Sequence, residues 1–238
     1  MFTKKDSEPY VELPTSAYFD QASKDDLVLS NQQMRQACKY QFYRLCFDYI
    51  DENAIGGDYH EYGVHKARTF RMALSEARKH QLDQMEFFAF DSFQGLPMSS
   101  THQHENWTQG ALTTSEDSFR ELVNEHGIYT DKVHCVPGFY GEVLTTEYAE
   151  DFLDNRNKIS LATVDCDLYE SAVPVFSFIE NLIQVGTVIY IDDYFVGHRG
   201  SLDHGVPRAF EEFKAVSRFK FIPFLPVGWW GQSFIVNL

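Results

Sequence analysis

The chain has 238 residues, 44% of them hydrophobic and 16% aromatic, with 20 Lys and Arg against 35 Asp and Glu for a formal net charge of −15. A chain of that length and apolar content builds a full core without staples, which excludes a disordered protein. The acidic balance excludes a nucleic-acid binder that works by releasing phosphate counterions, and no apolar run approaches the roughly 20 residues that span a bilayer.

Cys38, Cys46, Cys135 and Cys166 form neither a CxxC pair nor a zinc-knuckle spacing. Three sit in apolar stretches, as small core residues do in a reducing compartment, and no apolar leader follows Met1. The expectation is a soluble, cytoplasmic protein with neither nucleic-acid nor membrane partners.

Residues 1–29 are polar and read as an irregular N-terminal arm or lid, ahead of a single domain over 30–238. A helix follows with Met34, Cys38, Phe42, Leu45, Cys46 and Tyr49 as its apolar stripe, ended by Gly56-Gly57. Strand and helix patterns then alternate. Asp58–Val64 predicts a strand; Phe70, Ala73, Leu74 and Ala77 mark a helix face; Glu86–Asp91 predicts a second strand. A long polar stretch runs to Thr114, before a helix with Glu116 and Asp117 in its first turn.

A short strand over Lys132–Val136 and a helix over about 145–155 come next. Ile159–Asp165 is a strand, and Ala172, Val175, Phe176, Ile179, Leu182 and Ile183 stripe a helix behind the cap candidate Ser171. Thr187–Asp192 is a β-branched strand of the kind buried on both faces. Val206, Ala209, Phe210, Phe213 and Val216 define another helix, and two strands near 219–225 and 230–237 close the chain. The pattern predicts an α/β fold: a Rossmann-like, doubly wound, mostly parallel sheet with helices on both faces and a C-terminal antiparallel hairpin strand.

Such sheets bind ligands at the carboxyl ends of their strands. Here those ends carry Glu61, Asp91, Asp165, and Asp192 with Asp193. The first turn, Gly63 to Thr69, has one glycine where a dinucleotide fingerprint has three. Glu61 beside it would repel a pyrophosphate and attract a cationic ligand. Asp91 suits ribose hydroxyls, so a charged nucleoside without phosphate, S-adenosylmethionine, fits. Asp165, Asp192 and Asp193 converging on adjacent strand ends would repel one another unless a cation sat between them, and an all-oxygen site suits Mg²⁺, with Ca²⁺ and Mn²⁺ as alternatives.

Together, Glu61-Tyr62-Gly63-Val64, Phe90-Asp91-Ser92-Phe93-Gln94-Gly95-Leu96-Pro97, Gly138-Phe139-Tyr140, Asp165 to Ser171 and Ile191-Asp192-Asp193-Tyr194 resemble the macrocin/mycinamicin O-methyltransferases, in order from about residue 56 to 216. The resemblance implies a class I methyltransferase domain, with S-adenosylmethionine and Mg²⁺ as cofactors and a small-molecule hydroxyl, such as a sugar of a natural product, as acceptor. It implies Glu61 and Gly63 at the methionine end of the cofactor and Thr69 in the adjoining turn. Asp91 and Ser92 would lie at the ribose, and Gly138 and Phe139 along the cofactor. Asp165, Asp192 and Asp193 would hold the metal, with Asp165, also beside the cofactor, as proton acceptor. Ala67 departs from the family's usual glycine, and residues 1–29 and 98–114 match nothing that names the acceptor. A homodimer or higher homo-oligomer stays open.

Two other enzyme classes compete. Asp165-Cys166-Asp167 is a DxD, the metal motif of glycosyltransferases that hold nucleotide-sugar diphosphates. A catechol-type phenol O-methyltransferase would carry a lysine where this chain has Leu168. Asp167 otherwise reads as a solvated loop residue. His102 and His104 in the long polar loop read as solvated or as part of a substrate lid. His198 and His204 are candidate substrate contacts or bases, and Trp229-Trp230 reads as core or interface.

Overall fold

The computed structural model describes residues 15–99, 108–155 and 158–238. The chain divides into two units, residues 1–37 and 38–238. Within the described part of the expected irregular arm the backbone is largely helical: Ser16–Gln21 forms α1, and α2 (Lys24–Glu52) begins six residues before the expected start at 30, while residues 1–14 lie outside the described residues. The start of α2 is fixed by a reciprocal cap. The Asp26 N–H donates to Ser23 Oγ at 3.1 Å, and the Ser23 N–H donates back to Asp26 Oδ2 at 3.0 Å.

The second unit holds a seven-stranded sheet in the order β3-β2-β1-β4-β5-β7-β6. Its strands are β1 (Asp58–Tyr62), β2 (Phe87–Asp91), β3 (Val133–Pro137), β4 (Ile159–Val164), β5 (Val188–Ile191), β6 (Lys220–Val227) and β7 (Gly231–Asn237). β1 to β5 pair in parallel, while β7 runs antiparallel between β5 and β6. This is the doubly wound, mostly parallel architecture with a C-terminal hairpin that the alternation of patterns predicts.

Period-two alternation sends each strand's side chains to two separate cores. On one face, α3 (Arg68–Lys79), α4 (Glu116–His126) and the C-terminal half of α2 pack on Tyr59, Phe87, Ala89, Leu161, Val188 and Tyr190. On the other, α6 (Thr146–Asn155), α7 (Tyr169–Ile179) and α8 (Gly205–Val216) cover Tyr62, Phe88, Phe90, Ala162, Val164, Ile189 and Ile191. A short helix, α5 (Tyr140–Val143), lies between β3 and α6. No helix among the described residues is long and apolar enough to cross a membrane.

Three local expectations change. The buried face of α2 is Phe42, Tyr43, Cys46, Phe47 and Ile50, whereas Leu45 is exposed. The stripe is therefore rotated from the one that Leu45 suggested. Leu168, not Ser171, caps α7, and Ser171 lies inside the helix with its N–H bonded to the Leu168 carbonyl at 3.2 Å. Val216, expected on the buried face of α8, is 84% exposed at the helix end. The tryptophan pair splits: Trp230 is buried and Trp229 exposed.

Candidate active site

β2, β1, β4 and β5 are neighbours in the sheet, so Asp91, Glu61, Asp165 and the Asp192-Asp193 pair come to one edge from four adjacent strands. The turn after β1 is held tightly there. Gly63 has φ +94, and a Cβ on it would meet the Asp165 carbonyl oxygen at 1.9 Å. Four other residues of these strand-end loops, His65, Ala67, Phe93 and Asp167, also have φ between +33 and +60. Left-handed non-glycine residues are uncommon and gather where function over-determines the backbone. Ala67 occupies the left-handed N-cap of α3, a conformation that glycine adopts at lower cost.

Glu61 is fully buried beneath this turn. Thr69 Oγ1 donates to its Oε1 at 2.5 Å, and the Tyr59 hydroxyl donates to Oε2. Burial pushes the carboxyl up to about 7, against these two hydrogen bonds and the Lys39 charge, which pull it down. The chain of hydroxyls continues from Tyr59 to Tyr43 at 3.1 Å and on to Thr163 at 2.9 Å. Glu61 and Thr69 thus tie β1 to α3 and α2.

Asp91 organises the next turn. Its Oδ2 accepts the Val64 N–H at 2.9 Å and the His65 N–H at 3.3 Å, while Oδ1 accepts the Phe93 N–H at 2.8 Å. Ser92 donates to the Gly95 carbonyl at 2.8 Å. At the end of β3, Gly138 has φ +137, a Cβ there would meet Val143 Cγ1 at 2.4 Å, and Phe139 caps α5. The Tyr140 hydroxyl returns to the Phe90 carbonyl at 3.1 Å.

The acids of β4 and β5 form the electrostatic centre. Asp165, Asp167 and Asp193 each place a carboxylate oxygen within 4.8 Å of the others. Asp167, read from sequence as a solvated loop residue, therefore faces the cluster. Burial and the Asp192 charge raise Asp165 well above the usual carboxylate range. Burial and Asp165 push Asp167 up to about 8, and burial with the charges of Asp167 and Asp192 raises Asp193 well above its usual value. Mutual repulsion in a partly buried, all-oxygen set is the condition a hard divalent cation relieves, so these residues fit such an ion.

Asp192 is held differently. Its Oδ1 accepts the Tyr190 hydroxyl and, at 3.2 Å, the Trp230 Nε1–H; its Oδ2 accepts the Lys39 ammonium at 2.7 Å. Burial raises this carboxyl, but the Lys39 charge and the hydrogen bonds more than offset it and hold it below the usual value. Lys39 also reaches Asp165 Oδ2 at 3.3 Å.

Lys39 has no motif to announce it, though it stands four residues before Tyr43, in phase with the buried face of α2. Leu168, at the position of a catechol-type lysine, is buried. In the long loop, Leu96 and Ala111 pair their backbones at 3.0 Å, and Ser99 reaches Glu170 at 3.2 Å. His102 and His104 lie outside the described residues. His204 caps α8, and His198 begins a short 3₁₀ turn, His198–Gly200.

Residues 19–232 match the family described as Macrocin-O-methyltransferase (TylF). Over 160 residues, 64% of this chain, the sequence is 23% identical to demethyldecarbamoylnovobiocin O-methyltransferase of Streptomyces niveus. It is 22% identical over the same length to 8-demethyl-8-(2,3-dimethoxy-alpha-L-rhamnosyl)-tetracenomycin-C 4'-O-methyltransferase of Streptomyces olivaceus. The matches span 58% and 59% of those relatives' own lengths. Among solved structures, the O-methyltransferase NovP superposes with a TM-score of 0.68 at 19% identity, covering 84% of this chain and 80% of that one. The calicheamicin methyltransferase CalS11 does so with a TM-score of 0.66 at 15% identity, covering 94% and 86%. Both show the same fold.

Proposed function

We propose, starting from the fact that the chain belongs to the Macrocin-O-methyltransferase (TylF) family, that it transfers the methyl group of S-adenosylmethionine to a hydroxyl of a natural-product sugar. The observation that carries this reading is the convergence of Asp165, Asp167 and Asp193 at the adjoining ends of β4 and β5, beside the Gly63 turn.

In this reading the cofactor lies over the ends of β1, β2 and β3. Gly63 brings bare backbone to its methionine end, and Glu61 with Thr69 fixes that turn from below. Asp91 keeps a lone pair on Oδ1 for a ribose hydroxyl while bracing the Val64, His65 and Phe93 amides. Ser92, Gly138 and Phe139 border the nucleoside.

Asp165 and Asp193, with Asp167 as the third oxygen donor, would hold Mg²⁺. A cation there supplies Lewis-acid stabilisation of charge developing on the acceptor oxygen. The acceptor oxygen forms its bond to the methyl carbon as the carbon–sulfur bond breaks, leaving S-adenosylhomocysteine. The hydroxyl proton passes to a carboxylate of the cluster, Asp165, with Asp167 as the alternative because its oxygens face the same point without the Lys39 contact that Asp165 makes. The rhamnosyl group in the name of one relative supports a deoxysugar acceptor.

Titration calorimetry with S-adenosylmethionine, S-adenosylhomocysteine and a UDP-sugar tests the reading. Binding of the first two and no heat from the nucleotide sugar is expected. The reverse pattern would overturn it in favour of a diphosphate held by Asp165-Cys166-Asp167.

A further inference from the structure

The acid cluster contains its own cation. Lys39 arrives from α2, 126 residues from Asp165 and 153 from Asp192, and its side chain is 12% exposed. Its ammonium donates to Asp192 at 2.7 Å and to Asp165 at 3.3 Å. With the Tyr190 hydroxyl and the Trp230 indole on the other oxygen, both oxygens of Asp192 are spent inside the protein. Asp165, Asp167 and Asp193 keep oxygens that converge on one point.

We propose that Lys39 is a positioning residue that sets metal affinity: it clamps Asp192 against Tyr190 and Trp230, reserves Asp165, Asp167 and Asp193 for one divalent cation, and keeps that cation exchangeable. The inference rests on the metal-assisted methyl transfer proposed above. Four carboxylates at two strand ends would otherwise present four negative charges to a single site. One fixed ammonium removes a quarter of that charge and repels a neighbouring cation. Because Lys39 lies on a helix packed on the sheet, its charge stays in place when the cation leaves.

The test is Mn²⁺ titration of the full chain at constant ionic strength, followed by electron paramagnetic resonance of the free ion. It compares wild type, Lys39→Met, Lys39→Gln and the double variant Lys39→Met/Asp192→Asn, with S-adenosylhomocysteine binding as the check on folding. Lys39→Met and Lys39→Gln are expected to bind Mn²⁺ at least about tenfold more tightly, because they lose the repelling charge and release Asp192. The double variant is expected back within about threefold of wild type, since clamp and clamped charge leave together.

Unchanged or weaker Mn²⁺ binding in single variants that still bind S-adenosylhomocysteine would overturn the role of Lys39 and leave the methyl-transfer reading standing. A double variant more than about tenfold weaker than wild type would show Asp192 to be a ligand and overturn the clamp. Absence of Mn²⁺ binding by wild type, with S-adenosylhomocysteine binding intact, would overturn the metal reading itself and this inference with it.

Discussion

Gly63 and Asp165 meet backbone to backbone: the space a side chain would need at Gly63 is filled by the Asp165 carbonyl, 1.9 Å from an ideal Cβ. β1 and β4 can therefore deliver a cofactor turn and a carboxylate side by side only if residue 63 has no side chain. The contact joins the two halves of the proposed site.

Gly63→Ala should accordingly destabilise the protein by more than about 3 kcal/mol, from left-handed strain plus the displacement of β4. Chemical denaturation measures it. An unchanged midpoint would show that the two strand ends can separate freely.

Glu61, with its carboxyl pushed up to about 7, binds a proton in the folded state that it releases in the unfolded chain between pH 7 and about 4.5. Its contribution to stability is therefore present at low pH and lost as pH rises through 7. Glu61→Gln should gain on wild type by about 2.5 kcal/mol between pH 5 and pH 8. Urea unfolding at the two pH values gives the difference; a constant offset would show that Glu61 does not carry this proton.

His60, the preceding residue of β1, works in the opposite direction. It is fully buried among Phe88, Phe90 and Phe152, and its Nε2 has no hydrogen-bond partner among the described residues. Burial pushes it down to about 3, so it stays neutral when folded and charges when unfolded. Its contribution is complete above about 6.5 and lost as pH falls toward 3. From pH 7.5 to 5 wild type should lose about 2 kcal/mol relative to His60→Phe. Parallel pH profiles for the two proteins would contradict this. Because the Glu61 and His60 contributions oppose each other, wild type alone shows little of either.

The strand ends were legible in the sequence because each buried run closes on a carboxylate: Phe90-Asp91, Val164-Asp165, Ile191-Asp192. Apolar β-branched runs fix a strand, and the acid that stops the run is then at its carboxyl end. The DxD pair was visible too, yet sequence could not say that Asp167 turns back toward Asp193, since that depends on its left-handed backbone. Lys39 escaped for a different reason. Its partners lie more than a hundred residues away, and Leu45 drew the helix stripe off the true face, although the 39, 43, 46, 50 spacing was present. The start of α2 was written in Ser23 and Asp26, hidden by the polarity of the segment that follows.

The most direct test is methyl transfer from S-adenosylmethionine to sugar hydroxyl acceptors, followed as S-adenosylhomocysteine release with Mg²⁺, with EDTA, and with Asp165→Asn. Turnover is expected with Mg²⁺, as are its loss in EDTA with recovery on adding Mg²⁺ back and a fall of at least about a hundredfold in Asp165→Asn while cofactor binding persists. Full turnover in EDTA, or in Asp165→Asn, would contradict metal-assisted methyl transfer.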